Sequence, residues 1–309
     1  MAISAKDVSD LRAKTGVGMM ECKKALVETN GNMDEAIKLL RERGLAVAAK
    51  KADRVAADGI VDILHNTKSG KAVMIEVNAE TDFVAKNDDF IAFVKGCLET
   101  VINTGAKTVS ELLEKPYLDS GITVDAMLKE KILTIGENMS VRRFATVDGV
   151  LSTYIHGKGS IGVIIKFDAD EKALAATDFD EFAKNIALQV AAITPLYLDR
   201  ASVPADVIAS EKEIVMNQIK NDPANEKKPA NIVEKMAEGK IGKFFQANCL
   251  LEQGYVKDDA LTVGAYVDSY AKAIGANVKI NSFLRYEKGE GIEKRDDNFA
   301  EEIAMLTKN

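Results

Sequence analysis

The sequence is poor in the residues that most often build reaction centres. Histidine occurs twice, at His65 and His156, and cysteine three times, at Cys22, Cys97 and Cys249. The cysteines are far apart, odd in number and without a CxxC or Cys/His pairing. That argues against a disulfide frame or a zinc site and predicts reduced thiols in a cytosolic protein. No apolar run approaches the roughly 20 residues of a membrane span, and the polar, amphipathic stretch Met1 to Lys14 has no signal-peptide pattern. An excess of positive charge is also missing. A net charge of -7 and a pI of about 5.2 argue against a broad basic face that tracks phosphates, and so against direct nucleic-acid binding. They suit a protein partner. What is present is a hydrophobic content of 47% over 309 residues, enough for two or more domains with cores of their own.

The first 57 residues read as a small helical domain with its linker. Ser4 and Asp7 form a capping-box pattern ahead of Val8 and Leu11. Thr15-Gly16-Val17-Gly18 breaks that helix, and a second starts at Met19 or Met20 with Cys22, Ala25 and Leu26 on one side. Adjacent methionines cannot both point inward from a helix, so one of them offers an adaptable apolar contact. After the Asn30-Gly31 turn, Asn32 caps a third helix with Ala36, Ile37, Leu39 and Leu40 as its stripe, and Gly44 suits its end. The alanine-rich stretch from Ala46 to Ala57 then reads as a helical or flexible linker. With 11 basic and 8 acidic residues in positions 1–57, the charge asymmetry is too mild to imply steering by itself.

The rest contains a weak duplication. Asp58-Gly59-Ile60-Val61 leads a strand ending near His65, and Asp148-Gly149-Val150-Leu151 leads one ending near His156. A glycine-containing loop follows each, then the strand formers Val73–Asn78 and Val163–Asp168. An amphipathic helix comes next in each half, with Phe90, Val94, Cys97, Leu98 and Val101, or Phe182, Ile186, Val190 and Ile193, on one face. Third strands at Val141–Phe144 and Ile280–Phe283 close the halves. The fold class is α+β: duplicated antiparallel sheets with helices on one face, divided as 58–147 and 148–288. Two apolar stripes flanking Asn221–Pro229 predict a helical hairpin inserted at about 205–253. Residues 289–309 form a C-terminal module in which Ile303 and Leu306 stand at helical spacing.

Few patterns point to chemistry. Gly157-Lys158-Gly159-Ser160-Ile161-Gly162 matches GxGxxG, but a strand follows where a dinucleotide site needs a helix, so a flexible hairpin loop is the better reading. The two histidines occupy matching places in the repeats, yet no serine or cysteine motif accompanies either, and duplicated positions more often lie on separate surfaces. An exposed contact suits His156 better than catalysis. The most informative segment is Thr81-Asp82-Phe83-Val84, placed in a loop between strand and helix. A loop phenylalanine can tuck under its own sheet. The second repeat, however, has Asp170-Glu171-Lys172-Ala173 there and no aromatic. The first half thus carries something that the shared scaffold does not require.

Two segments carry a family resemblance. Leu11 to Leu26 (LRAKTGVGMMECKKAL) and Glu76 to Lys86 (EVNAETDFVAK) resemble the two signatures of the bacterial elongation factor Ts family, and Ile135-Gly136-Glu137-Asn138, the His156-Gly157 hairpin and Gly289–Lys294 extend the match along the chain. The resemblance implies a ubiquitin-associated-like N-terminal domain, a two-part core, a helical hairpin and a C-terminal module. It also implies a guanine-nucleotide exchange factor for the translational GTPase EF-Tu that performs no covalent chemistry. GDP, GTP and Mg²⁺ would be bound by the partner, and the factor would need no cofactor. Carried over by position, Thr81, Asp82, Phe83 and Val84 would reach the partner near its Mg²⁺ site. Leu11, Arg12, Thr15, Gly16, Met19, Met20, Lys23 and Lys24 would hold it from another side together with the C-terminal module. His156 and Gly157 would belong to the core surface facing EF-Tu, and Val256 to a further contact, with Lys257 departing from the apolar residue expected beside it. Self-association through the helical hairpin stays open. The rival readings are an enzyme, resting on the histidines and the glycine loop, and an RNA-binding translation protein, which the acidic balance disfavours.

Overall fold

The structure, a computed structural model, describes residues 3–225 and 228–293. The C-terminal helix expected over Phe299–Leu306 lies outside the described residues. The chain opens with α1 (Ala5–Thr15), α2 (Met19–Glu28) and α3 (Met33–Lys51). Caps mark several of their ends. Ser4 and Asp7 form a reciprocal capping box at α1, Gly16 closes it in the left-handed region at φ 68°, and Asn32 accepts from Asp34 and Glu35 at the start of α3. Val8, Leu11, Val17, Cys22, Leu26 and Leu40 form the bundle core.

The first half follows as β1 (Asp58–Asn66), β2 (Lys71–Ala79), the one-turn helix α4 (Asp82–Ala85), α5 (Asp88–Thr104), α6 (Val109–Glu114), α7 (Val124–Ile135) and β3 (Met139–Asp148). The strands form an antiparallel sheet in the order β1-β2-β3. Gly44 does not end α3, contrary to expectation. The helix runs through it because the side opposite solvent packs on α7: a Cβ at Gly44 would lie 3.5 Å from the Lys129 carbonyl and 3.6 Å from the Leu133 side chain. Arg41 pairs with Glu130 at 3.0 Å across the same seam, and Ala48 joins the core of the first half. Tertiary packing on α7 overrides the poor helix propensity of glycine at this point. Because 3.5 Å is ordinary contact, Gly44→Ala is expected to fit and to stabilise the protein by roughly 0.5–1 kcal/mol through helix propensity, read as a higher denaturant midpoint. A lower midpoint would mean that the seam tolerates no methyl group.

The second half comprises β4 (Val150–His156), β5 (Ile161–Ala169), the one-turn α8 (Glu171–Leu174), α9 (Phe179–Ile193), the hairpin α10 (Ala205–Lys220) and α11 (Ala230–Asn248), the short β6 (Gly254–Tyr255) and β7 (Asp258–Thr262), α12 (Val263–Ile274) and β8 (Val278–Glu287). Its main sheet has the order β4-β5-β8. The duplication extends to an irregularity. Both central strands carry a register shift at the same place, between Glu76 and Val77 and between Lys166 and Phe167. Arg142 and Asn281 are the corresponding extra residues on the third strands.

The sheets are covered on both faces, not on one. Val73, Ile75 and Val77 point into a helix-covered core with Phe90, Phe93 and Val94. Val163, Ile165 and Phe167 do the same against Phe182 and Ile186. The alternate residues Met74 and Ile164 meet Val61 and Tyr286 in a third core between the two sheets. The period of two sends successive side chains to opposite faces, so one strand feeds two cores. The hairpin insertion has its own core of Val215, Ile219, Ile241 and Phe245.

The glycine loop belongs to this inter-sheet contact. Gly159 is buried, its carbonyl accepts from Val61 N at 2.8 Å, and a Cβ on it would come within 2.9 Å of Ile60. A Cβ on Gly162 would reach Val61 at 2.6 Å and Met74 at 2.7 Å. The first half answers in kind, Gly70 O accepting from Gly149 N at 2.8 Å. Each hairpin tip therefore leans on the first strand of the other half or the turn leading into it. The loop is packed at Gly159 and exposed at His156–Lys158, and β5 follows it where a dinucleotide site would need a helix. Gly159→Ala, at φ 99° and with no room for a Cβ, is expected to cost about 1–3 kcal/mol. Calorimetry of the wild type with NAD and NADP is expected to give no saturable heat. Micromolar dinucleotide binding would assign the loop a ligand instead.

Candidate functional site

The Thr81–Val84 segment is a helical turn, not a loop. Thr81 is the N-cap of α4, Val84 is buried, and the Phe83 ring is 80% exposed. An aromatic ring left in water on an ordered turn forgoes about 1.5–3 kcal/mol of burial, so it is the feature that the isolated fold accounts for least. Asp82 pairs with Lys86 at 2.5 Å, and the Lys86 ammonium lies 5.9 Å from the Phe83 centroid. The hydrogen bond from Lys86 holds the exposed Asp82 carboxyl below the usual aspartate range.

The equivalent turn in the other half is α8. Asp170 occupies the N-cap position of Thr81, Ala173 is buried like Val84, and Lys172 stands where Phe83 does. Asp170 caps its own helix in the ordinary way, accepting from Ala173 N at 2.9 Å. Thr81 does not. Its amide and hydroxyl both donate to the Glu137 carboxylate, at 3.0 and 2.7 Å. The next residue along from Glu137, Asn138, ties neighbouring segments together: its amide N donates to Glu80 at 2.5 Å and its side chain to the Arg54 carbonyl at 2.8 Å. Lys51, the last residue of α3, donates to the Gly136 carbonyl. Ile135–Asn138 is thus the support of the Phe83 turn. No local pattern could have assigned it, because the bonded residues are 56 positions apart.

Phe83 and the first signature meet at one cleft. Gly16, Phe83, Val84, Asn87, Thr134 and Ile135 line an open depression of about 290 Å³. On the bundle beside it, Met19 is 44% and Met20 is 65% exposed, so both methionines face solvent where only one was expected. Arg12, Gly16, Lys23 and Lys24 are exposed, with Lys24 paired to Glu21 at 2.7 Å. Thr15 is half-buried and donates to the Leu11 carbonyl at 2.8 Å. Leu11, expected among the partner contacts, is instead 0% exposed in the bundle core, so it positions the helix and does not reach a partner.

The remaining candidates lie on the second half. His156 and Gly157 are exposed at the β4–β5 hairpin, and the Tyr154 hydroxyl sits 3.1 Å from His156 Nδ1. Val256 is 44% exposed, while the neighbouring Tyr255 is buried and stacks on Tyr266 at 4.1 Å. The histidines do not match. His65 pairs with Ala72, whose equivalent Gly162 pairs with Ile155; His156 is one register further on. A shift of one residue turns side chains to opposite faces, so the two histidines do not form a paired site. Burial pushes the His65 imidazole below its usual pKa by disfavouring the charged form.

Among the described residues, no group of three or more His, Cys, Asp or Glu could hold a metal ion, and no helix is long and apolar enough to cross a membrane. Comparison with known proteins gives one consistent result. A family model described as Elongation factor TS matches residues 80–290. The chain is 47% identical over 305 residues to an elongation factor Ts of Clostridium botulinum strain Eklund 17B, covering 98% of both chains. It is 46% identical over 308 residues to that of Clostridioides difficile strain 630, covering 99% of each, and 45% identical over 312 residues to that of a Nitratiruptor species, covering 100% of each. The matched span holds the Phe83 turn and its Glu137 support, and the full-length matches add the bundle and β1: the chain belongs to the elongation factor Ts family of translation elongation factors.

Proposed function

We propose that this protein is a guanine-nucleotide exchange factor for EF-Tu, and that Phe83 is the wedge with which it loosens the partner's Mg²⁺ and GDP. The observation that carries the reading is the 80% exposed Phe83 ring on a turn whose repeat counterpart bears a lysine. In this reading Thr81–Val84 enters beside the Mg²⁺ site of the partner's nucleotide domain. Arg12, Thr15, Gly16, Met19, Met20, Lys23 and Lys24 hold that domain across the cleft, and His156, Gly157 and Val256 bind a second surface. Mg²⁺ requires near-ideal octahedral geometry, so a small displacement of its protein support weakens bound GDP. By linkage, a factor that weakens GDP binding by some ratio is itself weakened by GDP in the same ratio. Exchange therefore needs no covalent step, no cofactor and no metal in the factor, and the protein acts in the cytoplasm as a binding catalyst. The test follows labelled GDP leaving purified EF-Tu. Catalytic amounts of this protein should accelerate release, whereas stoichiometric binding without acceleration would make it a scaffold.

A further inference from the structure

We infer that Glu137 is the positioning residue of the exchange wedge, and that the Gly136–Asn138 segment is a latch joining the N-terminal bundle to the Phe83 turn. The inference rests on the reading of Phe83 as the wedge. The two repeats differ at this turn. At α8 the N-cap side chain satisfies its own helix, so the orientation of that turn is a local property. At α4 the N-cap threonine makes no such bond, and its hydroxyl is turned away to Glu137. A four-residue helix is too short to hold itself by propagation. Its direction is then set by the buried Val84 and by whatever grips its N-cap residue.

That grip is bidentate. A carboxylate accepting one backbone and one hydroxyl donor from the same residue, at 3.0 and 2.7 Å, fixes both position and rotation. The carboxylate stands immediately after the left-handed Gly136 that ends α7, so its place is that of a long packed helix. The flanking bonds reach the bundle. Lys51 donates to the Gly136 carbonyl, and Asn138 donates from its side chain to the Arg54 carbonyl and from its amide N to Glu80. The end of α3 and the start of α4 thus converge on three consecutive residues. Arg41–Glu130 and the Gly44 seam lock α3 to the same α7. Partner contacts on the bundle and the ring of Phe83 are consequently held in one frame, with the turn oriented before the partner arrives. If the ring is buried only in the exchange-competent state, orienting it in advance raises the rate of that step more than the affinity of the first encounter.

The test uses the full chain, Glu137→Ala and Phe83→Ala singly and combined, and Thr81→Val as the variant that removes only the hydroxyl donor. Maximal GDP release from EF-Tu is measured at saturating factor, the half-saturating concentration is measured beside it, and the Thr81 amide is followed by hydrogen exchange in the free factor. Glu137→Ala is expected to speed exchange at the Thr81 amide and to lower maximal release about tenfold with nearly unchanged half-saturation. Thr81→Val should lower release in the same direction by less. On the Phe83→Ala background, Glu137→Ala should cost nothing further, because a residue acting through Phe83 has no route once the ring is gone. Losses that multiply, or wild-type Thr81 protection and release in Glu137→Ala, would overturn the positioning role. Wild-type release by Phe83→Ala alone, with Thr81 deprotected in Glu137→Ala, would instead leave the latch standing and sink the wedge that it serves.

Discussion

Phe83→Ala is expected to slow factor-stimulated GDP release about ten- to a hundredfold at saturating concentration, while leaving the melting temperature of the free factor nearly unchanged. The magnitude follows from the ring. Burying a phenylalanine side chain in a partner contributes roughly 1.5–3 kcal/mol, and if that gain is realised only in the exchange-competent state it appears as coupling of about this size. The unchanged stability follows from exposure. The ring is 80% exposed and the Lys86 ammonium stands off its face, so its removal takes almost nothing from the fold. Val84, one residue on, is buried in the core of the first half, and Val84→Ala should show the reverse pattern. Measuring release and melting on the same preparations separates the roles. Normal exchange with a large drop in melting temperature in Phe83→Ala would show that the ring supports the core.

The largest effect on stability is expected at Glu76. It sits at the shared register shift on the central strand and is 0% exposed. Its carboxylate accepts from Arg142 at 2.9 Å, Arg143 at 2.6 Å, Asn78 at 3.1 Å and the Gly289 amide at 2.7 Å. Arg143 stacks over Tyr286 with 4.1 Å to the ring centroid and reaches the Glu287 carbonyl, and Arg142 reaches that of Glu290. One carboxylate therefore clamps β2, β3 and the chain after β8. Glu76→Ala leaves two arginines and a buried amide without their acceptor, which is expected to cost about 3–5 kcal/mol. The value should fall near the lower end because both guanidinium groups keep some contact with water. Melting should drop by on the order of 5–10 °C, and a change under about 0.5 kcal/mol would show that the arginines rearrange freely.

The same site predicts a pH dependence. Burial is the largest single influence on the Glu76 carboxyl and pushes its pKa up, but the donors from Gly289, Arg142, Arg143 and Asn78 together outweigh it and hold the pKa below the ordinary 4.5. A depressed folded pKa means that the folded state binds fewer protons than the unfolded chain. The stability due to the charge is therefore complete above about 4.5 and is lost as the pH falls through the lower, folded value. The stability difference between wild type and Glu76→Gln should be constant near neutrality and shrink only in acid. A difference that instead vanished on raising the pH from about 5 to about 8 would mean that the carboxyl is held protonated.

Much of the architecture could be read directly from residue order. The Ser4–Asp7 capping box, the Asn32 cap, the alternation in Val73–Val77 and Val163–Phe167, and the two stripes of the helical hairpin are local patterns. Caps, strand period and helix period act over a few residues, so they carry over into structure without knowledge of partners. The absence of an aromatic in Asp170–Ala173 singled out Phe83 by the same kind of comparison. Other features were settled only when distant segments met. Gly44 looks like a helix end until α7 gives its bare backbone a close neighbour. Gly159 and Gly162 look like part of a mobile loop until the sheet of the first half leaves no room for a Cβ. His65 and His156 look equivalent until strand register, which depends on pairing across the sheet, separates them by one residue and thus by one face. The family-like Ile135–Asn138 segment flags Glu137 but not its role, since what it grips is 56 residues away. Hydrophobic patterning states that a face must be buried, but it is non-directional. Which face covers which, and which carboxylate then falls within reach of Thr81, is decided by shape once the whole chain has packed.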